Sequence, residues 1–437
     1  MKTKEKMKKM NQANELPEWF DGKKVEEAAF CRDFLAEHPM ICVSKSFFTK
    51  EGRICDESRL RREIYDAINP YVTTGLAKKV DSLLELLRVE AYAEELPVQT
   101  DRIHVANGTL FLDGSFTEHK EYCRNRLTVV YNPDAAEPAR WLSFLRELLD
   151  EEDIPTLQEY MGYCLIPTTK GQRMLMLVGR GGEGKSRIGV VMHALLGSSM
   201  NTGSIAKVET NKFARADLEN KLVMVDDDMK LEALPQTNII KSLVTAELPM
   251  DLEKKGVQSY QGTMYARLIG FGNGTMKSLY DRSLGFFRRQ IILTTKDRPP
   301  DRVDDPFLSE KLAEEREGIF LWVFEGLQRL IANDYRFTVS ERSQENLKQS
   351  IEEGNNVLMF LQSEGYISFA DGADTASAKL YELYSLWCED NAFPALTKTG
   401  FSRQLGVLAK DYGLVKHNNV KYHNARVWGY RNIRALQ

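Results

Sequence analysis

The sequence predicts an α/β protein in which a mostly parallel sheet carries a nucleotide site. Residues 179–186 read Gly-Arg-Gly-Gly-Glu-Gly-Lys-Ser, which matches the phosphate-binding pattern G-x-x-x-x-G-K-[ST]. The largely apolar run 173–178 before this match predicts a strand, and the run 187–196 after it predicts a helix. Strand and helix patterns continue to alternate beyond it, which is typical of a parallel sheet with helices on its faces.

The strand–loop–helix context of residues 173–196 suits phosphate binding. Glycines let backbone N–H groups point inward around phosphate oxygens, and the helix N-terminus adds a partial positive charge. We expect Lys185 to reach the β and γ phosphates of ATP and the Ser186 hydroxyl to bind Mg²⁺. The predicted ATP contacts are Gly179, Arg180, Gly181, Gly182, Glu183, Gly184, Lys185, Ser186 and Arg187.

Length and composition narrow the class of protein. With 437 residues, of which 43% are hydrophobic, we expect two or three domains. No apolar run is long enough for a membrane span, and the basic N-terminus lacks the apolar core of a secretory signal. The six cysteines contain no C-x-x-C pair, so neither a zinc site nor a disulfide framework is predicted. We therefore expect a cytoplasmic protein without a membrane partner.

The organisation predicted before the phosphate loop is a flexible basic tail over residues 1–24 and a mainly helical domain over 25–150. The clearest amphipathic runs are 59–68 and 76–89. Asn-Gly at 107–108 and Asp-Gly at 113–114 are turn signals between short apolar runs, so they predict hairpins. Helical patterns then return at 138–149 and 154–164.

The nucleotide-binding core is predicted to cover residues 151–338, and the C-terminal domain 339–437. Further core strands are expected at 221–225, 267–272 and 289–294, followed by one long helix over 305–332. The charge-rich segment 340–354 is the best candidate for a linker. Helices at 357–362, 376–391 and 398–412 and an alternating hairpin at 414–430 then predict a helix-turn-helix with a wing.

Three consecutive carboxylates, Asp226, Asp227 and Asp228, end the apolar strand around residues 222–225. At the tip of such a strand one carboxylate can hold Mg²⁺ through water while its neighbour polarises the attacking water. The sequence leaves the register open. We favour Asp226 for the metal and Asp227 for the water, although aspartate has a shorter reach than the glutamate that many ATPases carry there.

Two further elements suit triphosphate hydrolysis. The predicted strand 267–272 is followed by Asn273, whose amide could orient water beside the γ-phosphate; the alternative is a simple Asn-Gly turn. Arg288 and Arg289 stand at the entrance of the next strand, where an arginine finger could reach the γ-phosphate of a neighbouring subunit. Here the alternative is an exposed basic turn, and the pattern does not decide which arginine is the finger.

Basic residues in two regions are candidate contacts for DNA. Lys254 and Lys255 lie in a glycine-containing segment, 252–262, that predicts a charged hairpin able to follow a phosphate backbone. From residue 395 onward the chain carries eight Lys/Arg and one acid, Asp411. This excess favours phosphates as ligands, with a solvated basic face as the alternative. The predicted C-terminal contacts are Lys398, Arg403, Lys416 and Lys421.

The order of these motifs resembles the helicase portion of phage and plasmid primase–helicases, which is related to the poxvirus primase–helicase, within superfamily 3 of the AAA+ ATPases. The resemblance covers about residues 25–435 and extends beyond the nucleotide motifs. It includes residues 105–110, 130–135, 157–165 and 315–330, the box Asp281…Arg288-Arg289, and 380–388 and 401–405 near the C-terminus.

This resemblance implies an AAA+ core with a C-terminal winged-helix domain. The implied activity is that of an ATP-dependent DNA helicase, a hexameric ring that translocates on one DNA strand during replication of a phage, plasmid or other mobile element in a bacterial host cell. Lys185 and Ser186 would contact phosphate and metal, Asp226 and Asp227 would form the acidic box, and Asn273 would be the sensor. Arg288 or Arg289 would act on the neighbouring subunit, and Lys254 and Lys255 would lie near the hairpin that moves single-stranded DNA.

About 25 residues precede the helical region, too few for a primase domain, so we expect a helicase that works with a separate primase. The alternative is an ATP-regulated initiator that binds duplex origin DNA through its C-terminal domain without processive unwinding. A small-molecule kinase accounts for neither the paired arginines nor the basic C-terminus.

Overall fold

The computed structural model describes residues 16–229, 237–256, 258–273, 284–391, 393–423 and 425–436. Residues 1–15 of the predicted tail and Asp281 of the predicted arginine box lie outside these ranges.

The elements are numbered here in chain order. The helices are α1 (Glu27–Glu37), α2 (Ser58–Ile68), α3 (Leu76–Glu90), α4 (Ala139–Leu148), α5 (Ile154–Tyr163), α6 (Ser186–Leu196), α7 (Ile205–Thr210), α8 (Lys212–Ala216), α9 (Asn238–Val244), α10 (Leu284–Phe287), α11 (Leu308–Glu314), α12 (Arg316–Ala332), α13 (Glu341–Gly354), α14 (Asn356–Gln362), α15 (Ser377–Asp390) and α16 (Lys398–Leu408). The strands are β1 (Ile41–Val43), β2 (Ser46–Thr49), β3 (Gly52–Arg53), β4 (Arg102–Val105), β5 (Gly108–Phe111), β6 (Phe116–Thr117), β7 (Met174–Val178), β8 (Met200–Thr202), β9 (Val223–Met229), β10 (Met250–Leu252), β11 (Tyr260–Gly262), β12 (Arg267–Gly272), β13 (Gln290–Thr294), β14 (Ile367–Ala376), β15 (Val415–Tyr422) and β16 (Ala425–Ala435).

A five-stranded parallel sheet with the order β13-β7-β12-β9-β8 forms the centre of the molecule. This confirms the predicted α/β class. Successive side chains of β7 enter two different cores: Leu175 and Leu177 pack on one face of the sheet, and Met174 and Met176 on the other. Because both faces are covered, the strand reads as an unbroken apolar run rather than an alternating one.

The two cores differ in size. On one face, α5, α6 and α12 contribute buried apolar residues, as does α4 through Trp141 and Leu145. On the other face, α7 and α9 supply Ile205 and Ile240. The larger core therefore crosses residue 150, where the first domain boundary was predicted.

The N-terminal region is less helical than expected. The predicted runs 59–68 and 76–89 are found as α2 and α3, and the turn signal at 107–108 is confirmed by the antiparallel pair Val105 and Gly108 of β4 and β5. However, β1, β2 and β3 form an antiparallel sheet that the sequence analysis missed. These strands are two to four residues long, and Phe47 and Phe48 of β2 are both buried, so no alternation marks them.

Two expectations about connections are wrong. The helix predicted over 305–332 is divided into α11 and α12 at Glu315, whose carboxylate accepts hydrogen bonds from the backbone N–H groups of Arg140 and Trp141. The predicted linker is the helix α13. Its Asn346 side chain donates to the Ile292 carbonyl of β13 at 3.2 Å, so α13 packs against the central sheet.

The predicted C-terminal helices and hairpin occur in the expected order, and the strand β14, between the first two helices, was not predicted. Helices α14, α15 and α16 enclose an aromatic core that includes Phe360, Tyr384 and Phe401. Beside them lies a three-stranded antiparallel sheet with the order β14-β16-β15, whose β15–β16 hairpin is the predicted one. In the part of the chain that the structure describes, no helix has the length and apolar character to cross a membrane.

Candidate nucleotide site

The phosphate loop, Gly179–Ser186, leaves the carboxyl end of β7 and enters α6, as the sequence predicts. Gly181, Gly182 and Gly184 have φ values of 110°, 82° and 110°, which residues other than glycine rarely adopt. At Gly179 a Cβ atom would lie 2.2 Å from the Thr295 hydroxyl oxygen. The shape of the loop therefore requires these glycines.

Inside the loop, the Glu183 carboxylate accepts hydrogen bonds from the backbone N–H of Gly181 at 2.7 Å and from Lys185 Nζ at 2.7 Å. Its side chain is only 3% exposed. Burial opposes ionisation of this carboxyl, but the bonds from Lys185 and the backbone hold its pKa below the ordinary value. These donors are the groups assigned to phosphate, so the loop already forms a cradle suited to an anion.

Polar side chains from two neighbouring strands lie beside the loop. Asp227 and Asp228, in β9, and Asn273, which follows β12, line the same pocket as the phosphate loop. Because β12 lies between β7 and β9, Asn273 is next to the loop, and its Oδ1 is 3.8 Å from the position of a Cβ at Gly181. Carboxylates and an amide thus meet at the carboxyl edge of the sheet.

The three aspartates do not share one face of the sheet. Asp226 is buried, its Oδ2 accepts the Ile205 backbone N–H of α7 at 2.8 Å, and it does not line the pocket. Burial raises the pKa of this carboxyl. Val225 packs in the core that contains α6, so Asp226 points to the opposite face and Asp227 returns to the α6 side. The structure thus brings Asp227 and Asp228, and not Asp226, to the pocket, and the identity of the metal ligand stays a prediction.

The remaining predicted ATP contacts differ in position. Ser186 is exposed at the start of α6 and lines the pocket, as does Arg187, whose guanidinium donates to the Ser309 hydroxyl at 2.7 Å. Arg180 is 84% exposed, pairs with Asp297 and lies outside the pocket lining. Sequence reasoning missed Arg298 and Arg302, which do line the pocket. No motif surrounds them, so no sequence signal could have identified them.

Arg288 and Arg289 lie at the other end of the sheet. The carbonyl of Arg289 accepts the N–H of Met174, where β7 begins, whereas Thr294 pairs with Val178, where the loop leaves β7. The length of β13, about 16 Å at the usual rise per residue, separates them from the loop of their own chain. Within one chain the structure does not bring these arginines to the pocket.

The hairpin predicted around Lys254 and Lys255 is formed by β10 and β11, with Leu252 opposite Tyr260. Lys254 Nζ lies 2.6 Å from Glu219 Oε2 and 5.2 Å from the centre of the Tyr260 ring. Lys255 is exposed in the turn. Of the two lysines, Lys254 is engaged in fixing the hairpin, and Lys255 extends from it.

In the C-terminal domain, the four predicted DNA contacts, Lys398, Arg403, Lys416 and Lys421, are all exposed. The sequence analysis overlooked Trp428 of β16, which is 58% exposed. Lys416 Nζ lies 5.7 Å from the centre of its ring. An outward aromatic among basic residues is a signal that could have selected it, because nucleic-acid surfaces combine such side chains.

The residues present at the pocket suit a nucleotide with Mg²⁺. Backbone N–H groups and Lys185 favour phosphate, while Ser186, Asp227 and Asp228 offer the hard oxygen ligands that Mg²⁺ takes together with water and phosphate oxygens. Among the described residues no cluster of three His, Cys, Asp or Glu could hold a metal by itself.

One protein family matches part of the chain. Residues 177–289 match a family of unknown function (DUF5906), and this stretch contains the whole phosphate loop, the acidic strand and the paired arginines. No curated protein matches the sequence.

Solved structures of the NrS-1 C-terminal region are similar over nearly the whole chain. The apo structure of its residues 305–718 has a TM-score of 0.55 at 10% identity and covers 94% of this chain and 100% of that chain. The A-form apo structure has a TM-score of 0.51 at 10% identity and covers 93% of this chain and 99% of that chain. At this identity the likeness shows the fold alone.

Proposed function

We propose that this protein is an ATP-driven DNA helicase with an AAA+ core that works as a ring, with six subunits, in the replication of a mobile element. The observation that carries the proposal is the meeting of the phosphate loop, two aspartates and Asn273 in one pocket at the carboxyl edge of a parallel sheet. The likeness to the NrS-1 C-terminal region, which extends over nearly the whole chain, supports the fold that this proposal requires.

In the proposed site, the backbone N–H groups of the loop and Lys185 bind the β and γ phosphates of ATP. Ser186 and Asp227 hold Mg²⁺, which when bound offsets negative charge on the phosphates. Asp228 accepts a proton from the attacking water, and Asn273 orients that water. The oxygen of water forms a bond to the γ-phosphorus while the bond to the β–γ bridging oxygen breaks, which yields ADP and phosphate.

The position of Arg288 and Arg289 supports the proposal that the subunits assemble into a ring. These arginines lie about 16 Å from their own loop, the length of β13, so they can serve a triphosphate only across a subunit interface. An arginine there would stabilise the charge that develops on the γ-phosphate. In this proposal hydrolysis depends on assembly, as it does for sites completed by a neighbouring chain.

The β10–β11 hairpin and the C-terminal domain are the proposed DNA contacts. Lys255 extends from the turn of a hairpin that Lys254 and Glu219 brace, an arrangement suited to following a phosphate backbone. The helices α14–α16 with the β14–β16 sheet support a winged-helix assignment, and the basic residues of this domain would hold duplex or single-stranded DNA.

The alternative proposal is an ATP-regulated initiator, and the exposed basic surface of the C-terminal domain favours it. Strand displacement on a forked duplex separates the two. A helicase displaces the strand only with hydrolysable ATP and loses this activity in Lys185→Ala. An initiator binds duplex DNA but displaces no strand.

A further inference from the structure

Two arginines outside every predicted motif line the nucleotide pocket of their own chain. Arg298 and Arg302 belong to the segment 295–307, which follows β13 and reaches the phosphate loop. We propose that Arg298 contacts the terminal phosphates of a nucleoside triphosphate bound to the same chain, and that Arg302 is a positioning residue for the loop. The inference rests on the proposed ATPase function and adds two residues to that site.

The segment is fixed to its own chain at both ends. At its start, the Thr295 N–H donates to the Val178 carbonyl at 2.8 Å, directly before the phosphate loop. At its end, Asp305 Oδ2 accepts from Lys311 Nζ of α11 at 2.6 Å. Both arginines therefore approach the loop that follows β7 of the same molecule.

Arg302 acts on the backbone of the loop. Its Nη1 donates to the Glu183 carbonyl at 2.8 Å, and its Nη2 lies 3.6 Å from the position of a Cβ at Gly184. A guanidinium in this place restricts the segment between two glycines that have φ values in the left-handed region. Arg302 thereby holds the loop in a shape that both ADP and ATP require.

Arg298 lies on the open side of the loop. Its Nη1 is 3.4 Å from the position of a Cβ at Gly182, and its Nη2 donates to Asp304 Oδ2 at 3.0 Å. Asp304 thus orients the guanidinium toward the phosphate loop. Arg298 is thus a second cation beside the loop. Its ion pair with Asp304 is partly exposed to solvent, whereas the Lys185–Glu183 pair is buried, so the Arg298 guanidinium can take a phosphate oxygen at a lower desolvation cost.

Arg298 lines the pocket of its own chain, whereas Arg288 and Arg289 lie at the opposite, amino edge of the sheet. In a ring, each site would then use one arginine from its own chain and one from its neighbour. The two kinds of arginine can be told apart by subunit mixing.

Nucleotide binding tests the two roles. In Arg298→Ala we expect affinity for a fluorescent ATP analogue to fall by about tenfold to a hundredfold, with a smaller loss for the ADP analogue. Arg302→Ala should weaken both nucleotides alike, and Arg302→Lys should restore part of the loss. The control is Val303→Ala, because Val303 is 89% exposed and outside the pocket lining. Binding of ATP by Arg298→Ala as tight as by the unchanged protein overturns the proposal.

Mixing tests whether Arg298 acts within one chain. Lys185→Ala subunits mixed with Arg288→Ala/Arg289→Ala subunits should regain hydrolysis, because some interfaces then combine an intact loop with an intact finger. Lys185→Ala subunits mixed with Arg298→Ala subunits should regain none. Recovery in the second mixture overturns the assignment to the same chain. If the unchanged protein hydrolyses no ATP, the proposed function fails, and the binding measurement still decides the role of Arg298.

Discussion

The carboxylate of Glu183 lies 2.7 Å from Lys185 Nζ within the phosphate loop, and both side chains are buried. The lysine assigned to the β and γ phosphates is therefore paired with a carboxylate of the same loop. If the pocket binds a triphosphate as proposed, the phosphate would have to displace this carboxylate from Lys185 and the Gly181 N–H. In that proposal Glu183 competes with the phosphate for these donors.

We predict that Glu183→Gln binds ATP more tightly than the unchanged protein, by about tenfold, because the amide removes a charge-assisted bond to Lys185. The nucleotide-free variant should be less stable, by about 1 kcal/mol. The loss of stability is expected because the pKa of Glu183 is lowered in the folded protein, so the charged carboxylate stabilises the fold. Such a carboxyl stabilises the protein above its unfolded pKa, and this contribution is lost as the pH falls through the folded pKa.

Titration with a fluorescent nucleotide and thermal unfolding without nucleotide measure the two effects. Glu85→Gln, at a side chain that is 72% exposed, is the matched control. Unchanged or weaker ATP binding by Glu183→Gln would contradict the competition.

The acidic strand offers a test of the metal register. Asp227→Asn should lose Mg²⁺-dependent hydrolysis by at least about a hundredfold, as expected when a group acting on the transferring phosphate is removed. Asp226→Asn should retain most turnover, since its carboxyl faces α7 and not the pocket. Steady-state hydrolysis of ATP over a series of Mg²⁺ concentrations distinguishes the two. A greater loss of ATP turnover in Asp226→Asn than in Asp227→Asn would instead support Asp226 as the metal ligand.

The pH dependence of stability gives a second view of Asp226. Burial raises its pKa, so the folded protein binds more protons than the unfolded chain between the unfolded and folded pKa values. The contribution of Asp226 to the free energy of unfolding is therefore greatest below its unfolded pKa, and it is lost as the pH rises through the folded pKa. Asp226→Asn should remove this dependence and leave the melting temperature at pH 7 equal or higher. A large drop in melting temperature at pH 7 would show that the charged form is needed.

The paired arginines predict a separation of binding from catalysis. Arg288→Ala/Arg289→Ala should bind ATP normally and lose hydrolysis by about a thousandfold or more, as for other arginine fingers. Nucleotide titration and phosphate release measure the two properties on one preparation. Undiminished turnover in this double variant would remove both arginines from the site.

The exposed Trp428 predicts a contribution from base stacking. Trp428→Ala should weaken binding of single-stranded DNA by about 1–3 kcal/mol for each stacked base. Lys416→Ala should instead make DNA affinity less dependent on salt: the slope of the logarithm of the binding constant against the logarithm of salt concentration should fall by about one unit. Fluorescence anisotropy at several salt concentrations separates these effects, with Val407→Ala, at an exposed position of α16, as control. Equal binding by Trp428→Ala would exclude a stacking role.

Four of the five strands of the central sheet could be predicted because each contains an apolar run. The edge strand β8 reads Met-Asn-Thr, offers no such run and was not predicted. The strand expected at 267–272 is β12 with the same bounds, and the phosphate loop joins a strand and a helix where expected. The segment 340–354 was mistaken for a linker because charged residues dominate it. Its contacts with the core depend on a few side chains such as Asn346 and Leu347.

The details of the pocket could not be predicted, since they depend on tertiary structure. A run of three aspartates does not reveal which carboxylate turns toward α6. The pairing of Glu183 with Lys185 exists only once the glycines curl the loop around that carboxylate. Arg298 is more than a hundred residues from the loop in sequence, and β13 carries it there by pairing with β7.

Strand displacement on a forked DNA duplex tests the central proposal most directly. The purified protein should release the displaced strand with ATP and Mg²⁺, and should release none with a non-hydrolysable analogue or in the Lys185→Ala variant. Hydrolysis of ATP together with duplex binding, but without any displaced strand over a range of protein and fork concentrations, would contradict the helicase proposal and favour an initiator.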